Sequence, residues 1–391
     1  MKRVPYTAGV VPARRCARLA TAFVAAIACL LLCGPAQAGT GLFVGLNDDG
    51  LKATPTQTAS AARDIGLRSF AISLAWRPGE SSLSDSAAAA LNTAVVAAGG
   101  SRLVVAIYGD YPPETPDARD QYCSYARDIL ARHPRVRDIV VWNEPNLSSF
   151  WPNQFTPSGE SRAPALYEAL LESCYDVLHA ARADVNVIGF ATSPWGNDNP
   201  FATSNVSHSP THFILEVGRA YRAGGRRKPI LDTLAHHPYP SSSTERPWFR
   251  HTSEEVISIG DIDRLTGAVQ QAFAGTAQPP VGPALPIWYL ESGYQTIPDP
   301  AKNGLYFGTE NWPGQLSADV GGEPEQPPPA VESAAPDQGT QLVDSIRLAY
   351  CQPHVQAIFN FLLQDEPDLG AWQSGVLWAD GTRKGSYAAL R

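Results

Sequence analysis

From Gly41 onward the chain alternates two hydrophobic patterns. Short runs of branched and aromatic residues recur between longer Ala- and Leu-rich stretches in which polar residues are interspersed. The short runs read as strands and the longer stretches as helices. The predicted strands are Leu42 to Asn47, Arg68 to Trp76, Leu103 to Tyr108, Ile139 to Asn143, Val185 to Thr192, Leu231 to His236, Ile287 to Glu291 and Ala357 to Leu363. The predicted helices include Ser84 to Ala98, Ala118 to Arg132, Ala163 to Ala183, Thr211 to Ala223, Ile262 to Ala274 and Gln341 to Tyr350. Eight βα repeats in a chain of this length predict an α/β fold, a single-domain (β/α)8 TIM barrel over residues 39–391 whose active site lies on the loops after the strands' carboxyl ends. An open doubly wound sheet is the competing arrangement, but no Gly-rich phosphate turn follows the first strand as that fold favours.

One stretch departs from the repeat. Residues 296–338 are rich in Pro, Gly and acidic side chains, with Pro327, Pro328 and Pro329 in their midst, and read as a long seventh βα loop. Its aromatics Tyr306, Phe307 and Trp312 predict an ordered first half near the site, while the part from about Gly321 to Asp337 is expected to be mobile.

Composition narrows the partners. The chain has 391 residues, 44% hydrophobic, and a net charge of -8 from 30 Lys and Arg against 38 Asp and Glu. That is enough apolar material for one large core, and it lacks the basic footprint that nucleic acid or an anionic membrane surface requires. Near the amino terminus, Arg14, Arg15 and Arg18 precede an apolar run from Leu19 to Cys33, and Ala36-Gln37-Ala38 follows as a cleavage point. This predicts a secretory signal peptide over 1–38 and a secreted mature chain starting near Gly39, with an uncleaved anchor as the alternative. Removing that segment leaves Cys123, Cys174 and Cys351. Outside the cytoplasm, the natural reading is a Cys123–Cys174 disulfide between adjacent outer helices plus a buried thiol at Cys351, with three buried thiols as the competing reading. No Cys/His cluster has metal-ligand spacing, so no structural zinc is expected.

The candidate chemistry sits at two strand ends. In Val140-Val141-Trp142-Asn143-Glu144-Pro145-Asn146 an apolar strand stops at a proline that cannot donate to a ladder, which delivers Glu144 to the rim. Pro286-Ile287-Trp288-Tyr289-Leu290-Glu291-Ser292-Gly293 repeats the arrangement and delivers Glu291. Singly, each glutamate reads equally well as a solvated loop carboxylate. Together, 147 positions and three βα units apart, they face each other across the mouth of one barrel. Retaining glycoside hydrolysis needs such a pair roughly 5 Å apart, one carboxyl to protonate the leaving oxygen and one to attack the anomeric carbon.

At these residues the chain resembles clan A of the glycoside hydrolases, the retaining TIM-barrel glycosidases, in particular its cellulase-like, family 5-like and family 39-like members. The likeness covers essentially the whole mature chain. It implies that Glu144 is the general acid/base, Glu291 the nucleophile, and Asn143 the residue that hydrogen-bonds the sugar 2-hydroxyl. It further implies a carbohydrate partner, a monomer, no cofactor and no metal. Arg77 ends the second strand where many clan members place an arginine against the nucleophile, and Tyr239 resembles a tyrosine found there. Clan members often carry a tryptophan at the end of strand 8; here Phe359-Asn360-Phe361-Leu362-Leu363 has none.

The remaining shell is read from position. His236 and His237 alternate on the sixth strand, so one faces the site, His237 being the candidate, and the other packs. A two-His metal site lacks a third ligand at helical spacing. Sugar rings present apolar faces, which makes Trp195, Trp151 and Trp372, all in strand-following loops, candidate platforms. Asp48, Asp49, Asp365 and Glu366 are candidates for sugar hydroxyls, or else plain loop carboxylates. The competing functions are a non-catalytic carbohydrate-binding barrel and a transglycosidase, which shares every residue named.

Overall fold

The computed structural model describes residues 41–310 and 337–391. The expected signal peptide, Trp312 and the segment expected to be mobile up to residue 336 lie outside the described residues. Eight strands form one closed barrel in chain order: β1 (Phe43–Asn47), β2 (Ser69–Ala75), β3 (Arg102–Tyr108), β4 (Asp138–Val141), β5 (Asn186–Thr192), β6 (Thr233–His236), β7 (Ile287–Ser292) and β8 (Val355–Phe361). Every neighbouring pair is parallel, including β8 with β1.

Helices cover the outside: α1 (Pro55–Asp64), α2 (Asp85–Ala98), α3 (Pro116–Arg132), α4 (Ala163–Ala181), α5 (Pro210–Gly224), α6 (Ile262–Phe273), α7 (Gln338–Cys351) and α8 (Gly385–Leu390). Their starts are legible chemically. Ser84, Thr115, Ser209 and Asp337 each accept a backbone N–H of the first turn, and Pro116 and Pro210 occupy the first helical turn, where no N–H is needed. The sequence reading missed α1, whose Thr- and Ser-containing sequence PTQTASAARD carries little apolar periodicity, and α8, which is too short to show a period.

The core has two layers. Val104, Val140, Ile188, Ala235, Trp288 and Phe359 pack inside the barrel, and a larger shell fills the space between strands and helices. At the amino-terminal end of the barrel the Arg102 guanidinium grips Asp138 through two bonds of 2.8 and 2.7 Å and lies over the Trp288 ring, 4.5 Å from its centroid. The interior is thus a filled plug.

Cys123 on α3 and Cys174 on α4 form a disulfide with Cα atoms 4.9 Å apart, as the sequence predicts. Cys351 corrects the expectation of a buried thiol: it ends α7 and is exposed. No helix among the described residues is long and apolar enough to cross a membrane.

Candidate active site

The site begins with an interruption of β4. That strand stops at Val141, earlier than predicted, because Trp142 (φ 68°) and Glu144 (φ 38°) both adopt left-handed backbone. For residues other than glycine this costs on the order of 1–3 kcal/mol each, and it persists only where surrounding packing over-determines it. The packing is visible. The Trp142 ring is fully buried, its Nε1–H donates to Phe150 O at 3.0 Å, and Trp151 meets it edge-on. The Glu144 N–H donates to Ala191 O at 3.0 Å. Ala191 is itself the extra residue of a bulge, because the β5–β6 register slips between Phe190 and Thr192.

Asn146 then ties this loop to its neighbour. Its Oδ1 accepts Ser193 N–H at 3.0 Å, and its Nδ2 lies 3.2 Å from Trp195 O and 3.1 Å from His208 O. Sequence reasoning stopped two residues short of this anchor. The available signal was a second amide side chain directly after the proline that ends the strand.

Glu291 arrives from the opposite wall. A second register slip, between Tyr289 and Ser292 on β7, adds one residue there, so that Leu290 packs inside the barrel while Glu291 enters the mouth. Tyr239 donates its hydroxyl to Glu291 Oε2 at 3.0 Å, and Asn47 Nδ2 donates to Oε1 at 3.3 Å. His237 Nδ1 lies 3.0 Å from Glu144 Oε1 and 3.5 Å from Glu291 Oε2, bridging the two carboxylates. One ligand-type atom from each of Glu144, His237 and Glu291 falls within 4.8 Å of the others. His236 faces away, held between Thr192 Oγ1 and Ile257 O, so the strand alternation separates the two histidines as expected. Asn143 is 7% exposed, and among the described residues no group hydrogen-bonds its carboxamide.

The electrostatics divide the pair. The side chains of Glu144 and Glu291 expose only 12% and 15% of their surface. Burial pushes Glu144 up to about 8, with nothing opposing it. Burial also raises Glu291, and the neighbouring Glu144 charge adds to it, but His237 and the Tyr239 hydroxyl draw it back to about 7. Burial lowers His237, and the neighbouring Glu291 charge opposes that shift. Deprotonation therefore starts at Glu291. If Glu291 must be ionised and Glu144 protonated, activity falls as pH drops through the Glu291 value and again as pH rises through the Glu144 value. The kcat/KM profile is expected to be a bell whose maximum lies between about 7 and 8, with the two limbs belonging to the pair jointly. A maximum near pH 4 would contradict the upward shift of the pair.

An aromatic wall surrounds the carboxylates. Tyr239 lies between Trp195, with centroids 6.4 Å apart and planes 24° apart, and Trp372, 4.9 Å away. Trp372 also packs edge-on against Phe361 at the end of β8. Trp372, from the loop that follows, thus stands beside the end of strand 8, where the sequence itself has no tryptophan. Tyr108, at the end of β3, was not foreseen; Glu291 and Glu144 both act on its hydroxyl, which burial and these charges push up to about 12.

Several expectations are corrected. Arg77 is exposed, its own backbone N–H turning back to Glu80, and it forms no ion pair with Glu291. Among the described residues the cation-capable partner of Glu291 is His237. Trp151 is fully buried and donates to Glu114, so it is core. Asp48 accepts the backbone N–H groups of Gly50 and Leu363, and Asp49 binds Ser73 and Lys52. Asp365 forms a fully buried ion pair with Lys384 and accepts the Tyr306 hydroxyl, while Glu366 accepts Trp372 N–H. These four carboxylates shape loops, which is the second of the two readings that the sequence left open for them. Tyr306 is thereby anchored as the loop reading expected, but Phe307 is 61% exposed.

No family model matches this chain, and no curated protein matches it in sequence. Solved structures do match. A family 39 glycoside hydrolase from the gut symbiont Bacteroides cellulosilyticus WH2 aligns with a TM-score of 0.58 at 17% identity, over 90% of this chain and 63% of that one. A monomeric beta-xylosidase from Caulobacter crescentus CB15 aligns with a TM-score of 0.53 at 17% identity, over 90% of this chain and 66% of that one. A protein described as GH5_18, from Bifidobacterium longum subsp. infantis, aligns with a TM-score of 0.55 at 12% identity, over 90% and 77%. The chain spans just under two thirds of the length of the first two. At such identities the likeness is one of fold, and it establishes the chain as a (β/α)8 TIM barrel.

Proposed function

We propose that the chain is a retaining glycoside hydrolase, exported by its amino-terminal segment, that cleaves a β-linked glycan or glycoside by double displacement. The observation that carries this reading is the close approach of Glu144 and Glu291, with one oxygen of each within 4.8 Å and His237 joining them, which agrees with the short spacing of a retaining pair rather than the longer one an inverting pair needs. The names of the structural neighbours, a family 39 glycoside hydrolase and a beta-xylosidase, agree with it.

In the first step Glu144 donates its proton to the glycosidic oxygen as that bond breaks, and a Glu291 oxygen attacks the anomeric carbon to form a glycosyl ester. The aglycone leaves as a neutral alcohol. In the second step Glu144, now ionised, takes a proton from water, whose oxygen attacks the same carbon and expels Glu291 as a carboxylate. The Tyr239 and Asn47 donors stabilise that returning carboxylate. Asn143, with its carboxamide unengaged among the described residues, is available to the sugar 2-hydroxyl, and Trp195 and Trp372, both against Tyr239, offer aromatic faces to a sugar ring.

The test is to screen aryl β-glycosides and β-glycans, follow the product by NMR during the first minutes, and read its anomeric configuration. The β anomer is expected first, with the same rate in excess EDTA because no step uses a metal. An initial α anomer, or loss of turnover on chelation, would overturn the mechanism.

A further inference from the structure

The left-handed turn that aims Glu144 is braced by two tyrosine hydroxyls from the outer helices. Parallel pairing of β4 with β5 ends at Val140 and Ile188, and the next backbone link between these segments is Glu144 N–H to Ala191 O. Between them lies the Tyr167 hydroxyl of α4, which donates to Val141 O at 3.0 Å and accepts Phe190 N–H at 2.6 Å. On the other side the Tyr122 hydroxyl of α3 donates to Ile107 O at 2.7 Å and accepts Trp142 N–H at 3.0 Å. Both tyrosines are fully buried. Trp142 and Phe190, the residues whose N–H groups they receive, both have left-handed backbone, with φ of 68° and 72°. The Tyr167 hydroxyl therefore stands where Val141 O and the strained Phe190 N–H would otherwise be left unpaired in the core, while the Tyr122 hydroxyl reinforces a bond that Trp142 N–H already makes to Ile107 O at 3.1 Å.

We infer that Tyr167 is a positioning residue for Glu144: its hydroxyl acts as a rung inserted into the barrel ladder, with Tyr122 bracing the other side of the turn, and sets the angle at which the acid/base carboxyl meets the glycosidic oxygen. The inference rests on the retaining-glycosidase reading. Phenylalanine at either position keeps the ring, and with it the packing of Tyr167 against Trp151, Phe190 and Phe213. Such a variant removes the rung and little else.

The discriminating measurement is leaving-group dependence. A misaimed acid slows cleavage of alkyl or sugar aglycones, which need a proton, and spares a dinitrophenolate, which leaves without one. For Tyr167→Phe, kcat/KM on the poor leaving group is expected to fall about 10- to 100-fold, as a misplacement near 1 Å does, and to stay within about 3-fold on the dinitrophenyl glycoside. Tyr122→Phe, which leaves the direct Trp142 N–H to Ile107 O bond in place, should show the same pattern with a smaller loss. Tyr221→Phe is the control. It also loses a hydroxyl bond to backbone, a part-buried one at Lys228 O before β6 and thus at the opposite end of the barrel, and neither substrate should respond. An equal loss on both substrates, no loss on either, or failure of both site variants to fold would overturn the inference. If Glu144→Gln itself shows no leaving-group dependence, the retaining reading fails. If Glu144→Gln shows it and the tyrosine variants do not, only this inference fails.

Discussion

Glu291→Ala is expected to lower kcat by roughly 10^4-fold or more on every substrate, good or poor leaving group alike, as removal of a covalent nucleophile does. The reason is geometric. Among the described residues the other candidate carboxylates, Asp48, Asp49, Asp365 and Glu366, are all engaged in loop contacts. The same variant should fold at least as well as the parent. Burial and the adjacent Glu144 charge both disfavour ionised Glu291, so deleting it relieves an unfavourable charge rather than breaking a favourable one. Thermal melting beside steady-state kinetics separates the two effects. Residual activity within 10-fold of wild type in a cleanly folded variant would remove Glu291 from the mechanism.

Glu144→Gln should produce a different pattern. Here kcat/KM on an alkyl or sugar aglycone is expected to drop by about 10^2- to 10^4-fold, the usual contribution of a positioned proton donor, while an activated dinitrophenyl glycoside keeps most of its rate. The alkaline limb of the pH profile should vanish with it, because that limb is the loss of the Glu144 proton near pH 8. His237 can still donate to the carboxamide oxygen, so the variant disturbs charge more than shape. A limb that survives the substitution would assign it to another group.

Both carboxylates were legible because each lies at the end of an apolar strand before a turn residue, and the eight-fold repeat gave their strands a common mouth. Tyr239 and His237 were legible from the same logic on β6. Asn47 was not: it ends β1, and nothing local distinguishes a strand-end asparagine that reaches a carboxylate 244 positions away. Arg77 misled for the converse reason. Its place in sequence fits an active-site arginine, but Trp76 turns into the core and donates to Glu80 O, which swings the next side chain out to solvent. The bulges at Ala191 and within β7 were also invisible, since a one-residue register slip depends on both partner strands.

The Arg102–Asp138 clasp under Trp288 has a kinetic consequence. Among the described residues it closes the barrel's floor, so the rim is the doorway to Glu144 and Glu291. On the double-displacement reading, the alcohol released in the first half-reaction must vacate that doorway before water enters for the second. Whatever next occupies the threshold receives the sugar. A slow-departing or concentrated alcohol there would be glycosylated in water's place, so the balance between hydrolysis and transfer becomes a matter of traffic through that portal.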